Sequence, residues 1–164
     1  MANLFDPEFD AESDRPGFTY RRARLGRQAG SERLGASLFE LEPGQAQFPV
    51  HYHLGNEEML IVVAGTPTLR TPDGERELRE GEVVALPIGE RGAHQIVNRT
   101  DRPARILLVS EMVGPDIVVR PESGKLSAFG RPPGSIDDEG MHEVFFLRDA
   151  VEFWEGEQPP PDPK

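Results

Sequence analysis

Three of the four histidines in the chain occur at spacings that suit a single metal site. His51 and His53 are separated by one residue, so in an extended strand their side chains point to the same face, about 7 Å apart along the chain. Two imidazoles on one face can converge on one ion, to which Glu58 would add a carboxylate oxygen and His94 a third nitrogen. The sequence therefore predicts a centre for one divalent metal ion, and these ligand types suit Mn, Fe, Ni or Zn.

Short apolar segments bounded by turn residues would have to position these side chains. Glycine and proline number 17 and 16 and are spread between the apolar segments, which favours an all-β domain of short strands. The sequence predicts strands over 47–53, 58–64 and 94–98, the segments that carry the candidate ligands. About seven such strands follow one another through the middle of the chain, which predicts a barrel or a sandwich.

The spacing around His51, His53 and Glu58 resembles the first of two motifs of the cupin superfamily. That motif consists of a glycine, a spacer, His-x-His, three or four residues, a glutamate, six residues and a glycine. The corresponding residues are Gly44, His51, His53, Glu58 and Gly65. The spacer between Gly44 and His51 is one residue longer than is usual in the family.

The surroundings of His94 resemble the second cupin motif. That motif runs glycine, five residues, Pro-x-Gly, two residues, histidine, three residues and asparagine. Gly81, Pro87, Gly89, His94 and Asn98 follow it, except that the step from Gly89 to His94 contains two additional residues. The run HYHLGNEEML and the later PDGER are also similar to single-domain bacterial cupins of the cupin 2 type.

The resemblance implies an all-β jelly-roll barrel, a double-stranded β-helix, with an N-terminal arm and a C-terminal extension. It also implies that one divalent metal ion is held by His51, His53, Glu58 and His94. Metal-binding cupins include dioxygenases, decarboxylases and isomerases of small oxygenated molecules, and the same four ligands serve all three. We therefore expect a metalloenzyme that acts on a small oxygenated metabolite, with its reaction type left open.

A non-catalytic module that binds a small molecule is the alternative, because no acid or base besides the ligands is obvious. Glu57 would be a candidate base only if its side chain turned inward. Three other residues are candidates for lining the pocket or supporting the ligands. Gln47 lies on the same face of the predicted strand as His51. If a bulge occurs near Pro49, Phe48 takes the place of Gln47 in lining the pocket. Asn98 either lies on the face of His94, where it would support the ligands, or begins a polar turn.

The predicted organisation has four parts. Residues 1–33 form an N-terminal arm, partly docked on the barrel or exchanged with a neighbouring subunit, and residues 1–16 of it are acidic and expected to be flexible. Residues 34–120 form the barrel, and 121–157 form an extension that packs on it, with a loop at 131–140 and a short helix or strand over 142–154. Residues 158–164 are expected to be a disordered tail.

Charge and composition restrict the partners. The net charge of −11 argues against nucleic acid, and a cluster of arginines is interpreted as a solvated or salt-bridged strand: Arg21, Arg22, Arg24 and Arg27. The chain has no cysteine and no apolar run long enough to span a bilayer. The acidic N-terminus does not resemble a secretory signal, so a cytoplasmic location without membrane contact is expected. Edge strands, including the segment 18–25, predict a homodimer.

Overall fold

The computed structural model describes residues 2–131 and 140–159, and its secondary structure is almost entirely β. One short helix, α1 Leu25–Gln28, is present among these residues, and none there is long and apolar enough to cross a membrane. The strands are β1 Ala11–Arg15, β2 Phe18–Ala23, β3 Gly35–Leu41, β4 Tyr52–His53, β5 Glu58–Ala64, β6 Thr68–Thr71, β7 Gly74–Glu77, β8 Val83–Leu86, β9 Gln95–Val97, β10 Ala104–Ser110, β11 Asp116–Arg120, β12 Lys125–Phe129 and β13 His142–Phe146. Most of the predicted loop at 131–140 and of the predicted tail at 158–164 lies outside the described residues.

Three antiparallel sheets build the fold. The largest has the strand order β1-β2-β3-β10-β5-β8, and the two smaller ones have the orders β13-β12-β11-β4 and β7-β6-β9. Isolated bridges join Ala46 to Val97 and His51 to His94, so the segment before β4 connects the two smaller sheets. The predicted strand over 47–53 is therefore shorter than expected, because residues 47–50 bend around Pro49 before β4 begins.

The main core lies between the six-stranded sheet and the three-stranded sheet. Alternate residues of each strand point inward, as the pleat requires, and the buried cluster contains Phe39, Leu41, Leu60, Val62, Leu69, Leu78, Leu86, Ile96, Ile106 and Leu108. Tyr20 and Phe48 pack against this cluster, and their rings meet Phe39 edge-to-face at centroid distances of 5.3 and 5.7 Å. This aromatic group extends the core towards the candidate ligands.

The N-terminal segment is part of the sheet. β1 pairs with β2 and β2 pairs with β3, all within the same chain. Leu4 and Phe9 pack on the outer face of the sheet against Ala23, Leu25 and Leu38. The expectation of a flexible arm over residues 1–16 is therefore wrong for residues 2–16, because these apolar side chains gain burial by docking.

The C-terminal segment adds strands to the opposite wall. β11 pairs with β4 and with β12, so residue 118 lies opposite His53. β13 continues this sheet at its edge, followed by a short 3-10 turn over Leu147–Asp149. The side chains of β13 are all exposed, and apolar ones such as Val144 and Phe145 lie among them.

Candidate metal centre

Backbone pairing brings two of the candidate ligands together. The His51 amide donates to the His94 carbonyl at 3.1 Å, and the His94 amide donates to the His51 carbonyl at 2.9 Å. The ring centroids of these two histidines are 4.5 Å apart, and the rings of His51 and His53 are 5.4 Å apart. The predicted convergence of histidines from separate segments is present.

The two additional residues before His94 form a tight turn. Glu90–Gly92 is a 3-10 turn in which the Gly92 amide donates to the Gly89 carbonyl at 2.9 Å. A Cβ atom at position 92 would lie 1.7 Å from the Pro87 carbonyl oxygen, so no side chain fits there. The turn thus accommodates the two additional residues, and His94 lies next to the other candidate ligands.

Each of the three histidines has its Nδ1 atom held by an oxygen. Nδ1 of His51 lies 2.9 Å from the Pro49 carbonyl, and Nδ1 of His94 lies 2.9 Å from the Gly92 carbonyl. Nδ1 of His53 lies 2.5 Å from Oδ2 of Asp116. Carbonyl oxygens only accept, so Nδ1 of His51 and His94 donates, and the lone pair of each neutral ring is on Nε2. This arrangement fixes the ring orientations as in histidines that bind metals.

Glu58 lies at the centre of the group. Its Oε2 is 3.6 Å from Nε2 of His53 and 3.6 Å from Nε2 of His94. His51, His53 and Glu58 each offer a ligand atom within 4.8 Å of the others, whereas His94 lies outside this mutual limit and joins the group through Glu58. Oε2 of Glu58 and Nε2 of His94 are buried and have no hydrogen-bond partner among the described residues. A cation between them would satisfy both atoms, so these residues fit a metal ion.

Burial keeps two of the histidines neutral. Burial and the nearby His94 and His53 rings hold the pKa of His51 well below its usual value, and burial likewise lowers the pKa of His94. Neutral imidazole is the form that binds a metal. These two side chains are therefore ready to act as ligands without losing a proton.

His53 and Asp116 form a coupled pair. Burial opposes protonation of His53, but the hydrogen bond that its ring donates to Asp116 and the charge of Glu58 outweigh burial and raise the pKa of His53. Burial would raise the pKa of Asp116, and its hydrogen bond with His53 reverses that effect and lowers it. Oδ1 of Asp116 also accepts the Gly55 amide at 2.7 Å. Asp116 thus links the turn after His53 to the ring of His53.

A cavity of about 240 Å³ opens beside this group, between the six-stranded and four-stranded sheets. Its wall includes His51, His53 and Glu58 together with both residues predicted to line a pocket, Gln47 and Phe48. Sequence reasoning missed two other residues of this wall. Arg22 of β2 and Arg120 of β11 bring guanidinium groups to the cavity, and their positions depend on strand pairing that no local pattern reveals.

Two other expectations do not hold. The Asn98 amide donates to the carbonyls of Leu41 and Arg102, and its oxygen accepts from the amide and hydroxyl of Thr100. All of its hydrogen-bonding capacity is used in the turn, so it does not support the ligands or line the cavity. Glu57 is exposed and points away from the cavity wall, so it is not a candidate base.

The fold and the histidine–carboxylate group define a small β-barrel protein with a candidate metal centre in its interior. Residues 37–110 match the family model of the cupin domain. The chain therefore belongs to the cupin superfamily, as a cupin 2-like protein with the predicted jelly-roll fold. A search of curated proteins gives no match.

Several solved structures are similar over much of the chain. A sugar phosphate isomerase of the cupin superfamily from Silicibacter pomeroyi is 25% identical, with a TM-score of 0.76 over 94% of this chain and 98% of that one. A provisionally named sugar phosphate isomerase from Acidithiobacillus ferrooxidans is 23% identical, with a TM-score of 0.73 over 90% and 88%. The polyketide cyclase RemF from Streptomyces resistomycificus is 28% identical, with a TM-score of 0.52 over 63% and 73%.

Proposed function

We propose that this protein is a metal-dependent enzyme that acts on a small oxygenated metabolite and that its reaction is an isomerisation. One observation carries the proposal: three histidines with their Nδ1 atoms held lie around the half-buried Glu58, whose buried Oε2 has no hydrogen-bond partner among the described residues, at the wall of a cavity. The volume of that cavity, about 240 Å³, is below the usual range for drug-sized ligands and suits a small metabolite.

His51, His53, Glu58 and His94 would hold one Mn, Fe, Ni or Zn ion. A divalent ion held there would polarise a carbonyl or hydroxyl oxygen of a bound molecule. The protein contributes the neutral state of His51 and His94, the fixed orientation of His53 through Asp116, and the apolar enclosure by Phe39, Phe48 and Leu108. Low local polarity strengthens electrostatic interactions at the reacting oxygen.

The choice of isomerisation rests on the relative from Silicibacter pomeroyi. The alignment with that sugar phosphate isomerase covers 94% of this chain. Isomerases of sugars move protons between neighbouring carbons and need a polarised carbonyl, which a metal-binding cavity supplies. Dioxygenase and decarboxylase chemistry would use the same ligands, so the experiment has to separate these reactions.

A non-catalytic binding module is the second candidate. Among the described residues of the cavity wall, Glu58 is the one carboxylate, and the other ionisable groups are the two histidines and two arginines. If Glu58 binds the metal, no further side-chain base remains on that wall. A protein that only binds a small molecule would need none.

The test begins with the metal content of untagged protein and of the variants His94→Ala and His142→Ala. His142 is exposed and lies outside the cavity, so its variant is the matched control. We expect near-stoichiometric metal in the wild type and in the control, and its loss in His94→Ala. Equal metal contents in the two variants would contradict the proposed centre.

Activity is then measured with aldose and ketose phosphates, under air and under nitrogen. Turnover that is equal under both gases and is lost with the metal supports isomerisation. Turnover that requires air indicates a dioxygenase, and release of CO2 from acid substrates indicates a decarboxylase. A metal-loaded protein that binds such molecules without turnover supports the binding module.

We also propose that the chain forms a homodimer. β1 and β13 end their sheets with unpaired edges, and β13 exposes apolar side chains such as Val144 and Phe146. Such edges are usually covered by pairing. Light scattering of the protein at micromolar concentration checks this, and a particle of 18.2 kDa would contradict it.

A further inference from the structure

The cavity contains a cation without a carboxylate partner. Nε and Nη2 of Arg22 donate to the hydroxyl of Ser37 at 3.1 and 2.8 Å, and its guanidinium lies 5.3 Å from the centroid of the Phe39 ring. Nη1 has no hydrogen bond, and no carboxylate forms an ion pair with Arg22, among residues 2–131 and 140–159. Burial lowers the pKa of Arg22. Buried cations are normally paired, so this guanidinium has spare capacity for an anion.

A second arginine lies on the opposite wall. Nη1 of Arg120 donates to the hydroxyl of Ser127 at 2.6 Å, and the described residues supply no carboxylate within ion-pair distance. Its charge lowers the pKa of both His51 and His53, which places it beside the candidate ligands. The negative charge of Glu58 favours the charged form of Arg22. The two arginines thus flank the metal centre from both sheets.

The balance of charge in the cavity is opposite to that of the whole protein. Two arginines and one glutamate give the wall a formal charge of +1 before a metal is bound, whereas the chain carries −11. A divalent ion would increase the positive charge. An acidic protein with a cationic cavity selects an anion at that position over the neutral molecules in solution.

Gln47 supplies a neutral polar group at the same wall. Gln47 is 1% exposed, and neither Nε2 nor Oε1 of its side chain has a hydrogen-bond partner within residues 2–131 and 140–159. Buried amides are nearly always bonded, and an amide that lacks both a donor and an acceptor partner fits a hydroxyl, which can accept and donate at once.

We propose that the cavity binds a small hydroxylated anion, a phosphate ester or a carboxylate, with its charged group paired to Arg22 and Arg120 and one hydroxyl bonded to the Gln47 amide. This inference rests on the proposed function in that it names the class of molecule on which the same cavity acts. The residues that would recognise the anion, Arg22, Arg120 and Gln47, are not candidate metal ligands. Arg22 and Gln47 come from distant parts of the chain and meet only in the cavity.

The test uses three probes with the same three-carbon skeleton: glycerol 3-phosphate, glycerate and glycerol. Calorimetric titration is carried out on metal-loaded and on metal-free protein. We expect at least one of the two anions to bind at least about tenfold more tightly than glycerol, because an arginine–anion pair is a charge-assisted bond. Comparison of glycerol 3-phosphate with glycerate shows whether the site prefers a phosphate or a carboxylate.

The variant Arg22→Gln should lose at least about tenfold in affinity for that anion. Arg99→Gln is the control, because Arg99 is exposed and pairs with Glu75 at 2.8 Å outside the cavity. Glycerol binding as tightly as both anions would overturn the inference. So would equal affinities of the two variants, or no binding of either anion to metal-loaded wild type at millimolar concentration.

Gln47→Leu tests the amide separately. Leucine removes two unbonded buried atoms with little change in volume, so we expect a melting temperature equal to or above that of the wild type. Affinity for the anionic probe should fall about threefold to tenfold, with unchanged metal content. Loss of metal in this variant would show that Gln47 contacts the ion, and unchanged anion affinity would remove its role in recognition. Binding of these anions together with no turnover of the aldose and ketose phosphates would overturn the proposed enzyme while leaving this inference standing.

Discussion

Two carboxylates of the six-stranded sheet lie on its opposite faces and have contrasting surroundings. Glu40 of β3 shares the outer face with Leu38, whereas Glu58 of β5 shares the inner face with Leu60 and Val62. Arg21 and Arg105 donate to the two oxygens of Glu40. Glu58 has a buried Oε2 without a hydrogen bond and faces histidines.

The charge of Glu40 is used in ion pairs that stabilise the fold, whereas the surroundings of Glu58 suit the binding of a ligand. Both oxygens of Glu40 are paired, because the neighbouring strands β2 and β10 each place an arginine directly opposite it in register. Oε2 of Glu58 receives no hydrogen bond from the described residues, because the neutral ring of His94 presents an accepting Nε2 and Nε2 of His53 lies 3.6 Å away, within ion-pair distance but beyond a hydrogen bond. A buried carboxylate oxygen without a hydrogen bond destabilises the protein when no ligand is bound, so its presence indicates a ligand-binding site.

The variant Glu58→Gln gives the largest effect expected. Removing the charged oxygen should lower metal affinity by at least about 100-fold, since changes outside the ligand sphere alone cost about 10–100-fold. The metal-free variant should melt at the same temperature as the wild type or higher, because a charged oxygen that is buried without a hydrogen bond from the described residues has been replaced by a neutral amide. Metal titration and thermal melts check both expectations. Glu57→Gln, at an exposed neighbouring position, is the control, and a metal-free Glu58→Gln that melts well below it would contradict this interpretation.

Glu40→Gln should show the reverse pattern. Breaking its pairs with Arg21 and Arg105 should lower the free energy of unfolding by about 2 kcal/mol, less than for a fully buried pair because both arginines are partly exposed. Metal affinity should not change. Chemical denaturation of the metal-free protein measures the stability. A loss of metal binding that matches Glu58→Gln would break the distinction between the two faces.

Asp116→Asn should weaken metal binding by about tenfold, or 1.4 kcal/mol. Asparagine can still accept the Gly55 amide through its oxygen, but its NH2 would then donate to Nδ1 of His53 and move the ring proton to Nε2. That tautomer cannot bind a metal through Nε2. Competition with a chelator measures the affinity, and a protein that keeps wild-type affinity would show that Asp116 does not control the tautomer.

The smallest effect concerns acid stability. Burial would raise the pKa of Glu40, but hydrogen bonds from Arg21 and Arg105 outweigh it and lower the pKa below its usual 4.5. A carboxyl with a lowered folded pKa stabilises the protein above its unfolded pKa, and this stabilisation is lost as the pH falls from 4.5 through the folded value. The stability difference between wild type and Glu40→Gln should therefore be full at neutral pH and shrink on acidification. A difference that is constant from neutral pH down to strongly acidic pH would contradict this origin.

The sequence predicted the fold and the group of four candidate ligands because both depend on local patterns. His-x-His in a strand and turn residues between apolar segments act over a few residues. Asp116 was missed because its contact with His53 joins residues 63 positions apart. The role of Asn98 was left open because strand parity fits both a pocket and a turn, and only the contacts of its amide decide between them.

The arginine cluster shows the same limit within one strand. The interpretation as a solvated or salt-bridged strand holds for Arg21, which pairs with Glu40, whereas Arg24 and Arg27 lie beyond β2, with Arg24 3.5 Å from Asp10. It fails for Arg22, which points to the inner face and the cavity. Alternation along a strand separates neighbours reliably, but which face is inner follows from the pairing of β2 with β3, which the sequence does not specify.

The double role of Asp116 has a kinetic consequence. Its two oxygens hold the Gly55 amide and the His53 ring at once, so opening of that turn would move the carboxylate that orients the ring. We expect a metal held by His53 to be released faster when this turn is open. The dissociation rate of the metal and the deuterium exchange rate of the Gly55 amide should therefore rise and fall together with temperature and denaturant.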